Sequence, residues 1–375
     1  MLSESKQNDA AWLVAKGKSI EIKTAPYTKP GPNQILIQSH AVAINPIDRI
    51  IQDLGNMAFS WIKFPTIVGS DVAGSVLSVG SNVQRFKPGD RVVGFGLGFT
   101  QGKSDPTQAA FQEYVLLRED LCAPMPAIMS YEQACVIPLG LSTAASGLYQ
   151  KKYLNLALPS INIKNTGKTI LIWGGSTSVG ANAIQLARAS GYEVFTTCSP
   201  RNYDFVKRLG ASQAFDYNSA TVAADIIRAF EDKDCAGALS MGSGSAEKCC
   251  DILGSLKKAN KFVAMASFPG QKDGAPNGPL EMASMLTGML TANSKIWWKS
   301  RTKGLKTNFI FGSDLEENEV GPAVWKSFLG DALAQGTFIP SPEPLVVPTR
   351  GLKGIQEGFD MQKKGVSAKK VVVIF

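Results

Sequence analysis

The stretch LIWGGSTSVGANAIQLARASGYEVFTTCSPRNYDF, Leu171 to Phe205, decides the fold. It opens as an apolar strand, turns over Gly174 and Gly175, and runs on as a helix that begins near Gly180. Strand, glycine turn and helix in that order form the entrance of a doubly wound α/β domain. The exposed backbone N–H groups at such a helix start make an anion site. The G-x-G-x-x-G fingerprint needs its middle glycine so that a pyrophosphate can approach the backbone. Here Thr177 holds that position, flanked by Ser176 and Ser178. Hydroxyl groups are therefore expected to replace part of the backbone contact.

The second strand ends near Cys198, where an acidic residue would bind the free 2′-hydroxyl of NAD and repel the 2′-phosphate of NADP. The chain instead has Ser199, Pro200, Arg201 and Asn202. A guanidinium pairs with phosphate through parallel charge-assisted hydrogen bonds, so NADPH is the expected cofactor. Pro200 also suits the first turn of a helix capped by Ser199, and the two readings are compatible. Asp204 lies close enough to weaken the pairing, and Lys207 and Arg208 are second candidates for the phosphate.

From Lys168 onward the alternation of strands and helices continues to about Phe268, the rhythm of a parallel sheet covered on both faces. Residues 269–286 are rich in Gly and Pro and read as a loop, and KTNFIFGSD reads as a last strand. Before this region, short apolar strands separated by Gly and Pro turns indicate a β-barrel-like domain. The segment from Tyr131 to Gln150 reads as a helix interrupted at Pro138-Leu139-Gly140. The closing KKVVVIF is a strand expected to complete the first domain. The expected division is therefore 1–138 with 310–375 for the barrel domain, and 139–309 for the inserted nucleotide-binding domain.

The 375 residues carry a formal net charge of +8, and the basic residues are dispersed. The densest patch, Lys299 to Lys306, follows Trp297 and Trp298; a solvated loop is the preferred reading over a nucleic-acid surface. Six cysteines without a C-x-x-C pair fit reduced, buried thiols in a cytoplasmic protein rather than a disulfide framework or a zinc knuckle. No secretory signal and no apolar run long enough to span a bilayer is visible, so no membrane partner is expected.

The turns NPID, GSDVAG, KPGDRVVG and FQEYV, then PLGLSTAASGLY, the nucleotide loop and KKVVVIF, stand in the order of the medium-chain dehydrogenase/reductase superfamily. The chain resembles that superfamily over nearly its whole length. It is most similar to the zinc-free quinone-oxidoreductase branch and to the fungal reductases that include trans-acting enoyl reductases of polyketide pathways. The resemblance implies a GroES-like barrel beside a Rossmann domain. It implies that Asn45, Pro46, Ile47 and Asp48 line the nicotinamide side of a cleft. It places Gly175, Ser176, Thr177, Ser178, Val179 and Gly180 at the pyrophosphate, and Ser199, Pro200, Arg201 and Asn202 at the adenosine phosphate. Tyr217 is expected against adenine or ribose, and Val366 and Ser367 over the cofactor. Leu139, Gly140, Leu141, Ser142, Thr143, Ala144, Ala145 and Ser146 are expected to border the substrate. Zinc-dependent relatives have a Cys near Asn45 and His-Glu where this chain has Ser70-Asp71, and they carry a four-Cys loop absent here. With His40 as the single histidine, a zinc set cannot be assembled from these residues.

Reducing a ketone builds charge on an alkoxide, which calls for a metal or a strong acid. Reducing an enone or enoyl thioester spreads the charge over an enolate, which ordinary hydrogen bonds hold and water protonates. The lack of a placed acid favours conjugate reduction, on a small molecule or on an acyl chain held by an acidic carrier domain. The alternatives are a quinone or carbonyl reductase on the same scaffold, and a non-catalytic NADPH- or RNA-binding crystallin-like protein.

Overall fold

The computed structural model describes residues 7–270 and 278–375. The chain forms two compact units, Met1–Leu139 with Trp325–Phe375, and Gly140–Val324.

In the first unit, β1 (Asn8–Leu13), β2 (Glu21–Ala25) and β4 (Thr66–Ile67) form a three-stranded sheet in the order β2-β1-β4. The larger sheet runs β10 (Cys122–Pro124), β6 (Arg91–Phe95), β5 (Asp71–Val79), β3 (Gln34–Ala43), β18 (Lys369–Ile374) and β17 (Glu343–Val346), with β9 (Tyr114–Arg118) also paired to β3. β7 (Phe99–Thr100) and β8 (Lys103–Ser104) make a small hairpin. The C-terminal strand thus completes this sheet: Val372 pairs with Ala43 and Val346. Two short helices, α1 (Pro46–Leu54) and α2 (Tyr131–Ala134), follow β3 and β10. Pro138 does not interrupt a helix but begins the next, α3 (Pro138–Tyr149). Its missing N–H costs nothing in a first turn.

The second unit is built on six parallel strands: β11 (Lys168–Trp173), β12 (Glu193–Cys198), β13 (Gln213–Asp216), β14 (Asp234–Ser240), β15 (Phe262–Met265) and β16 (Lys306–Phe309). Their spatial order, β13-β12-β11-β14-β15-β16, is the 3-2-1-4-5-6 order of a doubly wound dinucleotide fold. The crossover helices are α4 (Ser178–Ala189), α5 (Tyr203–Arg208), α6 (Val222–Ala229), α7 (Ser245–Ser255) and α8 (Pro279–Thr302). One apolar core joins Leu171, Phe195, Ala238 and Val263 from the strands to Ile226, Cys249 and Ile296 from the helices.

Two readings change here. Residues from Pro279 onward form the long helix α8 and not a loop, because Pro279 occupies the first helical turn and no further proline follows in it; residues 271–277 of the expected loop lie outside those described. The second unit also extends past residue 309. Ile310 lies beneath Gly147, where a Cβ would come within 2.5 Å of it. Asp314 pairs with Lys152 at 2.6 Å, and Tyr153 donates to the Phe309 carbonyl at 2.9 Å. These contacts bind the segment before α9 (Val320–Val324) to its own unit. The chain then passes through α10 (Gly330–Ala334) and α11 (Gly354–Lys363) in the first unit.

Candidate functional site

The glycine turn after β11 is dictated by close approach. Gly174 has φ +90°, a region that favours glycine. A Cβ on Gly175 would lie 2.2 Å from Thr196 Oγ1, and one on Gly180 would lie 2.2 Å from the Gly174 carbonyl. Strand and helix therefore meet at backbone distance, the geometry a pyrophosphate cradle requires. Thr177 is the N-cap of α4. Its hydroxyl accepts from the Gly180 N–H at 3.0 Å and donates to the Gly174 carbonyl at 2.8 Å. That hydroxyl is committed to the turn, which corrects the expectation that it replaces a backbone contact to phosphate. Ser176, Ser178 and Val179 are half-buried at the start of α4.

At the end of β12, Ser199 does not cap the following turn. Its hydroxyl reaches instead to the Tyr217 hydroxyl, 3.3 Å away. The contact follows from register: Cys198 pairs with Asp216, so the next residues on both strands emerge side by side. Pro200–Asn202 make one 3₁₀ turn, Asn202 is buried, and Arg201 projects into solvent. Among the described residues Arg201 has no ion-pair partner. Tyr217 is also exposed. Ser199, Arg201 and Tyr217 thus present hydroxyl groups and a cation at the carboxyl ends of adjacent parallel strands, where such folds bind ligands. Lys207 and Arg208 lie exposed in the last turn of α5.

The first unit holds a different polar cluster. Asp71 starts β5 and is fully buried. Its Oδ1 accepts the Leu139 N–H at 2.6 Å; its Oδ2 accepts from Asn45 Nδ2 at 2.8 Å and pairs with Lys370 Nζ at 2.6 Å. Lys370 Nζ also donates to Asn45 Oδ1 at 2.8 Å. Asn45, the N-cap of α1, has both ends of its amide engaged and is 3% exposed. Asp48 accepts the Asn45 N–H at 2.8 Å through Oδ2, while its buried Oδ1 has no hydrogen-bond partner. Burial raises the Asp48 carboxyl to about 7, with the nearby Asp71 carboxylate acting in the same direction and the bond from the Asn45 backbone opposing it.

The expected site residues differ in exposure. Asn45 and Asp48 are interior, and only Pro46 and Ile47 of that turn reach the surface. Leu141, Ser142, Thr143, Ala144, Ala145 and Ser146 are all buried in α3. Gly140 abuts α4, where a Cβ would lie 2.5 Å from Ser178 Oγ, so the small residues serve close helix packing. Leu139 alone of that set is partly exposed. Val366 and Ser367 are exposed in the turn before β18, next to Ala368 at φ +50°. The residue missed by sequence reading is Lys370. It stands 325 positions from Asn45, and its only local signal is a lysine on the inward face of a valine strand.

His40 is half-buried, with its ring stacked on Tyr131 and Nε2 3.0 Å from Ser75 Oγ; burial lowers its pKa, and the Arg91 cation adds to the shift. All six cysteines are buried and unbridged. Among the described residues no group of three His, Cys, Asp or Glu side chains is placed to hold a metal ion. No described helix is long and apolar enough to cross a membrane.

Residues 31–127 match the alcohol dehydrogenase GroES-like domain. The chain is 47% identical over 374 residues to dehydrogenase pigH of Monascus ruber, covering 98% of this chain and 99% of that one. It is 36% identical over 369 residues to trans-enoyl reductase himH of Aspergillus japonicus, covering 98% and 97%. The quinone oxidoreductase of Coxiella burnetii has the same fold, with a TM-score of 0.67 at 21% identity over 99% of this chain and all of that one.

Proposed function

Because the chain belongs to the medium-chain dehydrogenase/reductase superfamily, we propose that this oxidoreductase is of the zinc-free quinone-oxidoreductase-like branch and uses NADPH to reduce an activated C=C bond, in an enone or an enoyl thioester. The observation that carries the cofactor choice is the Ser199–Arg201–Tyr217 cluster, which offers a cation and hydroxyl groups and no carboxylate of its own. Gly175 and Gly180, where a Cβ would collide with Thr196 and with the Gly174 carbonyl, let strand, turn and helix start pack at backbone distance, which supports a pyrophosphate at that helix start. When bound, the reduced nicotinamide supplies the hydride.

The Asp71–Lys370–Asn45 cluster supports the choice of reaction. At the positions where zinc-dependent relatives place ligands, a buried ammonium already neutralises the carboxylate and takes the amide oxygen. A second cation would meet direct repulsion there. His40, engaged by Tyr131 and Ser75, offers no ready acid. Addition of hydride to the β-carbon leaves an enolate, which takes its proton from water at the α-carbon, and the carbonyl is retained. The protein's part is to bind, orient and exclude competing chemistry.

The test is turnover of NADPH with an enone, a quinone and a ketone at equal enzyme, with products identified. Saturated ketone from the enone, unaffected by exhaustive chelation, is the expected result. Allylic alcohol as the product would select the carbonyl-reductase alternative. NADPH binding without oxidation of any of the three would select a non-catalytic role.

A further inference from the structure

We propose that the outward face of α8 is a docking surface for an anionic phospholipid bilayer. α8 carries two apolar faces. One packs on its own unit through Ile296 and is fastened to α7, where Asp251 takes Lys299 at 2.6 Å and Lys303 at 2.7 Å. The other is uncovered. Leu280 is 87% exposed, Leu286 51%, Leu290 68%, Trp297 59% and Trp298 64%. Leu286, Leu290 and Trp297 stand at i, i+4 and i+11, which brings them into one row along the helix. The row from Leu286 to Trp297 is ~17 Å long at 1.5 Å per residue, and Leu280 and Trp298 form a second exposed row about 120° around the helix from Leu286.

The charge on this helix selects the occupant. Lys299 and Lys303 are neutralised by Asp251 of α7, which leaves Lys295 and Arg301 as the cations beside the exposed apolar residues, with Glu281 the only acid in α8. A second copy seated on the same face would bring like charges together. An anionic surface is complementary instead. The two indoles argue for a fluid surface over a folded protein. Adjacent residues on a helix point ~100° apart, so Trp297 and Trp298 cannot both lie flat on one rigid face, whereas a headgroup layer surrounds both. Beside them is an open recess of about 670 Å³ lined by Thr291, Asn293, Ser294, Lys295, Trp297 and Trp298. It sets an ammonium and hydroxyl groups, the donors a lipid phosphate accepts from, next to rings that favour the membrane–water interface. The Arg301 guanidinium lies 5.9 Å from the Trp297 ring centroid, which keeps a cation at the same level. Association of this kind is peripheral, since no described helix can span a bilayer. It narrows the sequence-based expectation of no membrane partner to the absence of a span.

The experiment is co-sedimentation of the full chain with vesicles of phosphatidylcholine containing about one-third phosphatidylserine, beside vesicles of phosphatidylcholine alone, with tryptophan emission as a second readout. The expected result is binding to the anionic vesicles with a blue shift, weakened by salt and by omission of phosphatidylserine. Trp297→Ser/Trp298→Ser should abolish binding, and Lys295→Glu/Arg301→Glu should weaken it by more than about tenfold, both with unchanged melting temperature. The charge-reversal variant alters only exposed side chains, so it keeps the test open if the serine variant unfolds. Three results would overturn the proposal: no binding to the anionic vesicles, equal binding by the charge-reversal variant, or a wild-type dimer that the tryptophan substitutions dissociate. None of these readouts depends on the reductase activity.

Discussion

Asn45 with Asp71 and Lys370, and Ser199 with Arg201 and Tyr217, are both polar clusters at strand ends, and they have opposite fates. In the first, amide, carboxylate and ammonium satisfy one another in the interior. In the second, a hydroxyl contact of 3.3 Å joins Ser199 to Tyr217 while the Arg201 guanidinium faces solvent. A closed cluster, whose groups bond one another in the interior, acts on the fold. An open one, exposed and rich in donors, acts on what binds. Residue type alone does not separate the two, since each sets a basic side chain beside polar oxygens at a strand end.

The largest effect tests the closed cluster. Asp71→Asn leaves the Lys370 ammonium buried without its counter-charge and is expected to cost about 3–5 kcal/mol of stability, read from denaturant midpoints. Replacing both partners, as Asp71→Leu/Lys370→Met, should recover much of that loss; a double variant as unstable as the single one would mean that the pair does more than neutralise itself.

Asp48 gives the next effect, and it depends on pH. Its carboxyl titrates near 7 in the folded chain, against 3.8 for the ordinary group. Between these values the folded protein holds a proton that the unfolded chain has released, so stability from this group is full below 3.8 and is lost as pH rises to about 7. Asp48→Asn preserves an acceptor for the Asn45 N–H and cannot ionise. The variant is therefore expected to gain on the wild type as pH rises from about 4 to 7 and to gain nothing further above that range. Melting temperatures that run parallel across the window would remove Asp48 from the account.

The open cluster should respond in binding rather than stability. A hydrogen bond to a charged group is worth roughly 1.5–3 kcal/mol, so Arg201→Ala should weaken NADPH by about tenfold or more while leaving NADH nearly unchanged. Ser199→Asp should shift preference further toward NADH by placing a carboxylate where the phosphate would lie. An unchanged ratio of dissociation constants in Arg201→Ala would transfer the phosphate to Lys207 or Arg208. Thr177→Ala is the smallest effect: loss of the cap costs about 1 kcal/mol and should weaken both cofactors alike, through the helix start they share.

Much of the fold was legible because it is written locally. The alternation from Lys168 to Phe268 and the pair Gly175 and Gly180 announce strand, turn and helix within a few residues. α8 was not legible, because Gly and Pro crowd the segment before Pro279 and its many exposed apolar positions blur a 3.6-residue period. The site was legible as a set of places and less so as a set of contacts. Ser199 and Arg201 stood out by chemistry, but the pairing of Ser199 with Tyr217 depends on β12–β13 register. The partners of the Thr177 hydroxyl and the Asn45 amide are not legible, because nothing near them in sequence reveals Gly180 N–H or Lys370.

The position of β18 has a consequence for the order of assembly. β18 lies between β3 and the edge strand β17 in the first unit's large sheet, and it brings Lys370 to Asp71. During synthesis the whole of Gly140–Val324 emerges before this strand does. The second unit, continuous in the chain, can complete its sheet on the ribosome, while the first must wait with the Ala41–Ala43 end of β3 unpaired beyond β9 and Asp71 without its cation. The N-terminal half is thus the stage at which a nascent chain most needs a chaperone, and stalled chains ending before Lys369 should resist proteolysis in the second unit and not in the first.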